Sequence, residues 1–269
     1  MQTNREPEPQ LAFAVTTSAR PSPRELARAH CLAGETGYRY VPRTHRSLAG
    51  MAADERLTGL IVVERGKLSL WVAGRCLRYH PNMAKLRLLA LEQGKHDILV
   101  DALQLKLGDR VLDCTCGLGA DAIVAACKVG ATGRVRTLEA SPLLALLVER
   151  GMACYVIDDP PALVPAMRRV EVLNADYADY LRCEADNAWD VVYFDPMFSE
   201  TIADAQGLDL VRYLARGGSP SPADLGEARR VARRRVVMKD RRPGYALARL
   251  GFAKVEEGRR VCYGALPAW

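Results

Sequence analysis

Five acidic residues carry the first chemical signal in this chain. Asp113, Asp121, Glu139, Asp176 and Asp195 each fall at, or just past, the end of a short apolar run, where a strand gives way to a loop. Between the first two lies Gly117-Leu118-Gly119-Ala120-Asp121-Ala122, a GxGxxA spacing that follows Val111-Leu112-Asp113 and opens a helix-like segment. Glycines so placed let the backbone turn tightly after a strand and approach a ligand at the start of a helix. Glu139 closes the next run, eighteen residues beyond Asp121, where a carboxylate reaches ribose hydroxyls. The pattern asks for a nucleoside-bearing cofactor.

A dinucleotide and S-adenosylmethionine satisfy that description equally, and charge separates them. A pyrophosphate sits where helix N-terminal amides face it, so an acid in the first helical turn, here Asp121, would repel it. S-adenosylmethionine has no phosphate; its sulfonium and amino group favour nearby carboxylates. Taken singly, each acid also reads as a helix cap or a surface charge, Asp176 above all. As a set of five they point to the sulfonium cofactor.

The second motif is Tyr193-Phe194-Asp195-Pro196-Met197-Phe198. An amine on a nucleobase has its lone pair delocalised into the ring. It attacks well only when acceptors hold its hydrogens and align nitrogen with the methyl carbon. Asp195 can accept one hydrogen, the Pro196 carbonyl another, and Phe198 can stack on the base. Proline fixes the backbone that presents these acceptors. The motif resembles the D/N-P-P-Y/F signature of amino-group methyltransferases, with Met197 replacing the second proline.

These residues need a sheet to hold them. From Gly108 onward, strands expected near 110–114, 134–139, 169–173, 189–194 and 234–239 alternate with helical segments, which argues for a mostly parallel sheet covered on both faces. Two runs at 252–257 and 259–266, separated by Gly258, read as a closing antiparallel hairpin. Upstream, residues 1–10 are polar and expected to be disordered. Residues 11–80 read as a small α/β domain: strand 11–18, helix 21–37, strand 38–43 and a hairpin over 57–80 turning at Glu64-Arg65-Gly66-Lys67. Residues 81–107 form a helical linker, with Gly94 separating two helices, and 108–269 form the cofactor-binding domain. Gly94-Lys95 could loop over the cofactor, and His80 could face its cleft or serve structurally.

Composition sets outer limits. With 269 residues, 49% hydrophobic and 26% charged, the chain is an ordinary globular protein. No apolar run approaches the ~20 residues that cross a bilayer, and the N-terminus lacks signal-peptide character, so a cytoplasmic protein without membrane partners is expected. The eight cysteines form no CxxC pair and, with four histidines, offer no metal-ligand cluster, so no metal is expected. The net charge of +6 is uneven: residues 229–260 hold twelve Lys or Arg against Asp240, Glu256 and Glu257. That segment could neutralise RNA phosphates, or be a solvated helix face. Lys239, Arg241 and Arg242 are its candidate substrate contacts, Lys239 reaching a phosphate or the base, or standing as an exposed strand-end lysine.

In order, VLDCTCGLGADA, TLEASP, LNADY, VVYFDPMF and VVMKDRRPGY resemble the RsmJ-like class I methyltransferases, over roughly residues 75–269. Members of that family modify the N2 amine of a guanosine in small-subunit ribosomal RNA. The resemblance implies a seven-stranded Rossmann-like fold. It also implies S-adenosylmethionine contacts at Ala120, Asp121, Glu139, Ala140, Asp176, Tyr177 and Asp195, besides Asp113, Gly117 and Gly119 of the turn. Asp195, Pro196, Met197 and Phe198 would form the catalytic segment, and ribosomal RNA or the small subunit would be the partner. The family's lysine-arginine-proline-x-tyrosine segment appears here as Lys239-Asp240-Arg241-Arg242-Pro243-Gly244-Tyr245, two residues longer, and Phe13-Ala14-Val15-Thr16-Thr17-Ser18 marks a separate branch. Adenine N6, a protein glutamine, and a non-catalytic RNA-binding assembly factor are the other readings of the same residues.

Overall fold

The computed structural model describes residues 12–81, 83–196, 208–214 and 218–269. They divide into two compact units, one ending at Tyr79 and the other running from His80 to Trp269.

In the first unit the order is β1 (Phe13–Thr17), α1 (Pro23–Thr36), α2 (Leu48–Asp54), β2 (Gly59–Glu64), β3 (Lys67–Val72) and β4 (Arg75–Arg78). The strands form one sheet in that order, β1 parallel to β2 and the rest antiparallel. Ser22 and Glu25 build a reciprocal capping box at the start of α1, and Gly37 ends the helix at φ 75°. The strand expected at 38–43 is reduced to a bridge at Tyr40. Val15 and Val41 exchange bonds with the neighbouring backbone (Val15 N–H to Arg39 O, 2.9 Å; Val41 N–H to Val15 O, 2.8 Å), after which Pro42 has no N–H to continue the ladder. The single hairpin expected over 57–80 is two. Arg65-Gly66 and Ala73-Gly74 both place consecutive residues at positive φ, the geometry of tight two-residue turns. Helix α2, capped by Ser47, was absent from the sequence reading.

The second unit continues with α3 (Met83–Glu92), α4 (Ile98–Leu103), β5 (Arg110–Asp113), α5 (Ala120–Val129), β6 (Arg134–Glu139), α6 (Pro142–Cys154), α7 (Leu163–Arg169) and β7 (Val170–Asn174). It closes with α8 (Tyr177–Cys183), β8 (Trp189–Phe194), α9 (Leu208–Leu214), α10 (Pro222–Val231), β9 (Ala232–Arg241), α11 (Tyr245–Arg249), β10 (Ala253–Glu257) and β11 (Val261–Pro267). Seven strands order as β10-β11-β9-β8-β5-β6-β7; β5 to β9 are mutually parallel, and β11 is antiparallel to both its neighbours. This is the mostly parallel sheet with a C-terminal antiparallel hairpin that the sequence led us to expect. Strand β10 lies outermost, largely exposed, with a register irregularity between Lys254 and Glu256.

Alternation along the strands assigns each face its work. Leu112, Val192, Phe194, Val236 and Met238 share a buried cluster with Leu225 and Val231 of α10, Leu181 of α8 and Leu247 of α11. The intervening residues, Val111, Asp113, Val191, Tyr193 and Val237, are also buried and point to the other face, toward α5. Lys239 and Asp195 continue that second phase beyond the strand middles. Strand order runs outward from β5 to β7 on one side and resumes at β8 on the other, so the crevice at the carboxyl ends of β5 and β8 is the switch point where such sheets take ligands. The helices α3 and α4, in the segment expected to be a linker, pack within this unit, α3 on α5 and α4 on β9 to β11.

Candidate active site

At the end of β5, Asp113 is 1% exposed and accepts from the Thr115 backbone (3.0 Å) and the Thr137 hydroxyl (3.0 Å). Burial pushes its carboxyl up to about 7, and the neighbouring Asp121 and Asp195 carboxylates add to the shift. The chain then turns through Gly117 (φ 53°) and Gly119 (φ 75°) into α5. Space is open where a Cβ of Gly117 would stand, whereas one on Gly119 would overlap the Met152 methyl. Gly119 is thus favoured by its left-handed backbone, since the Met152 methyl is the movable end of a flexible side chain, while Gly117 leaves a cradle.

Glu139, 6% exposed at the end of β6, accepts from the Ser141 amide (3.0 Å) and the Gly117 amide; burial pushes its carboxyl up to about 7. Ala140 follows it directly. Asp176 caps α8, accepting from the Ala178 amide at 2.8 Å, as the capping alternative anticipated. Tyr177 meets Phe194 edge-on at 5.5 Å and donates to the Gly218 carbonyl at 3.2 Å.

The other pole gathers around Asp121. In the first turn of α5, its carboxylate accepts from Arg87 of α3, from the Tyr193 hydroxyl (2.9 Å) and from Lys239 (3.4 Å). Arg87 also forks onto Asp97, both contacts at 2.7 Å, and Asp97 caps α4 through the Leu99 and Val100 amides. Lys239 reaches Asp195 at 2.7 Å. Burial opposes the charge on Asp121, but Lys239 and Arg87 overcome it and hold its carboxyl well below the usual range. The same two acids hold the buried Lys239 ammonium protonated. Asp195 is pushed upward by burial against the pull of Lys239. Its backbone N–H donates to the Thr115 hydroxyl at 2.6 Å, which ties the end of β8 to the glycine turn. Pro196 is buried beside it; Met197 and Phe198 lie outside the described residues.

Two expectations change. Asp121 does not present a bare carboxylate to repel a pyrophosphate, because Arg87 and Lys239 occupy it. The twelve basic residues do not form one patch: β9 runs through them and divides them between its ends. At its amino end Arg230 pairs with Asp186 and Glu227, Arg233 with Asp190 and Arg234 with Asp109, while Arg235 bonds Gln104. Arg241 and Arg242 stand at the other end with Lys239, Arg242 pairing with Glu257 at 2.5 Å. Gly94 and Lys95 close α3, donating to the Leu91 and Ala90 carbonyls. His80 stacks edge-on with Tyr155 at 5.8 Å. Sequence reasoning missed Arg87, whose one signal was a cation inside the apolar run Leu86–Leu91, and the hydroxyls of Thr115, Thr137 and Tyr193.

The balance still suits a sulfonium. Asp113, Asp121, Glu139 and Asp195 outnumber Arg87 and Lys239, and the Gly117 cradle adjoins a nearly buried acceptor at Glu139. Among the described residues, no group of three or more His, Cys, Asp or Glu could hold a metal ion, and no helix is long and apolar enough to cross a membrane.

The topology and the acid-rich switch point define a class I methyltransferase. Residues 78–260 match the family described as "Putative SAM-dependent methyltransferase", and the chain belongs to that S-adenosylmethionine-dependent family. It is 35% identical over 239 residues to the uncharacterized protein YpiP of Bacillus subtilis, covering 88% of this chain and 92% of that one. It is 36% identical over 162 residues to ribosomal RNA small subunit methyltransferase J of Nitrosococcus oceani, covering 58% of this chain and 62% of that relative's length. A crystal structure of a SAM-dependent methyltransferase from Neisseria gonorrhoeae shares the fold with a TM-score of 0.61 at 18% identity, covering 95% of this chain and 96% of that one.

Proposed function

We propose that this methyltransferase acts on an exocyclic base amine of RNA, guanine N2 of small-subunit ribosomal RNA, in the cytoplasm. The observation that carries the reading is the Asp195 carboxylate at the end of β8, tethered through its own amide to the glycine turn and held by Lys239. The match to the methyltransferase J relatives supports the ribosomal target.

Gly117, Gly119 and Ala120 would cradle the cofactor, with Glu139 and Ala140 at its ribose and Asp113, Asp176 and Tyr177 around it. When bound, S-adenosylmethionine supplies an electrophilic methyl carbon whose bond to sulfur breaks as the bond to nitrogen forms. Asp195 accepts one amine hydrogen and the Pro196 carbonyl the other, which aligns the nitrogen lone pair. Lys239 opposes the burial that pushes the Asp195 carboxyl upward and so favours its charged form, and a charged acceptor binds the amine more firmly than a neutral one. The proton shed by nitrogen passes to Asp195 and then to water. In this reading Phe198 stacks on the base, which must be splayed from any helix to reach the site.

The test is tritiated methyl transfer to small-subunit particles from a strain lacking this gene, followed by nucleoside analysis. With cofactor saturating, Asp195→Ala should slow single-turnover transfer by ~100-fold or more while RNA affinity holds. A parent rate in the folded variant would remove the amine-orienting mechanism, and label in N6-methyladenine would move the target.

A further inference from the structure

Beyond β9 the chain makes a rigid turn that offers one aromatic ring to solvent. Asp240, buried, accepts from the backbone of Arg241 (2.7 Å), Ala246 (2.8 Å) and Leu247 (3.2 Å), which fastens the start of α11 to the end of the strand. Gly244 sits at φ 98°, and a Cβ there would stand 3.0 Å from the Cys262 sulfur and 3.7 Å from Cε of Lys254. The next residue, Tyr245, opens α11 and is 80% exposed.

The surroundings are cationic. Residues 240–260 contain six Lys or Arg and three acids, and one acid, Asp240, is consumed by the three amides. The Arg242 N–H donates to the Arg260 carbonyl at 3.2 Å, which joins the turn to the hairpin tip, where Arg259 and Arg260 are exposed. Tyr245 is six positions beyond Lys239, so at most about 20 Å of chain divides them. Lys239 stands near the carboxyl end of β9 and Tyr245 past it.

We propose that Tyr245 is a stacking platform for an unpaired nucleobase flanking the target nucleotide, with Arg259 and Arg260 taking the adjoining phosphates. The proposal rests on the RNA reading above and adds a second recognition point outside the reacting site. Stacking on an aromatic ring tolerates any base, and the arginines supply the salt-dependent share. The site thus grips the strand around the target without reading its sequence.

The test titrates the full chain with a fluorescent mixed-sequence single-stranded RNA, and with the same strand carrying 2-aminopurine, over a range of salt. Tyr245→Ala should weaken binding ~5- to 150-fold, the range for one stacked base. Its salt dependence should match the parent's, since no phosphate contact is removed, and the 2-aminopurine quenching should fall. Tyr245→Phe should restore both affinity and quenching, because the ring and not the hydroxyl is used. An unchanged affinity for Tyr245→Ala, or a loss that Tyr245→Phe fails to restore, overturns the platform while leaving the methylation reading intact. A parent protein that binds no RNA overturns both, and methyl transfer by Asp195 variants tells the two failures apart.

Discussion

Glu139 and Asp113 both titrate near pH 7 in this protein, raised from the usual carboxyl range chiefly by burial. In the unfolded chain each would ionise near pH 4, so between about pH 4 and about pH 7 the folded state binds more protons, and free-protein stability falls as pH rises. A ribose diol donating to Glu139 favours the charged form, so binding S-adenosylmethionine below pH 7 expels a proton. Affinity should therefore rise by up to about tenfold per unit as pH climbs toward 7, then level off. Isothermal titration in buffers of different ionisation heat reads the proton directly. Glu139→Gln should abolish most of the dependence, and what persists belongs to Asp113. A flat profile in the parent would mean that Glu139 does not serve the ribose.

The glycine turn shows what an element demands of its residues. Gly119→Ala introduces a left-handed alanine and displaces the movable end of Met152, together about 1 to 3 kcal/mol, visible as a lower denaturant midpoint. Met152→Ala in the same chain should relieve the steric share only. Gly117→Ala meets no neighbour, so its cost should stay at about 1 to 2 kcal/mol of backbone strain while cofactor affinity collapses, because its methyl enters the cradle. Equal losses of cofactor affinity in the two variants would refute this division of labour. Much of the turn was legible from the sequence, since Val111-Leu112-Asp113 and Val191-Val192-Tyr193-Phe194 are apolar runs that only a doubly covered strand explains. The acids at their ends followed from chain direction alone. Arg87 was not legible: its partners lie ten and thirty-four residues away and meet it only when α3 lands on α5. Nor was the Ala73-Gly74 turn, because Ala73 prolongs the apolar run Leu70-Trp71-Val72 and only Gly74 marks a break.

Across the whole molecule, the length of β9 decides where nucleic acid can be held. Ten residues span about 33 Å, so the arginines at its amino end stand far from Asp195, and most answer to acids of their own. Arg259→Glu with Arg260→Glu should lower RNA affinity and reduce the salt slope by about 2, whereas Arg229→Gln with Arg233→Gln should alter neither. Filter binding across a salt series checks both pairs, and equal effects would restore the single continuous patch. The outermost strand, β10, carries Lys254, Glu256 and Glu257 on an irregular register beside that same surface. Its backbone edge would otherwise invite another chain to add a strand, and alternating charges with a broken ladder discourage that addition. Neutralising those side chains to improve affinity for a polyanion would therefore carry a second effect, growth of the sheet from one molecule into the next.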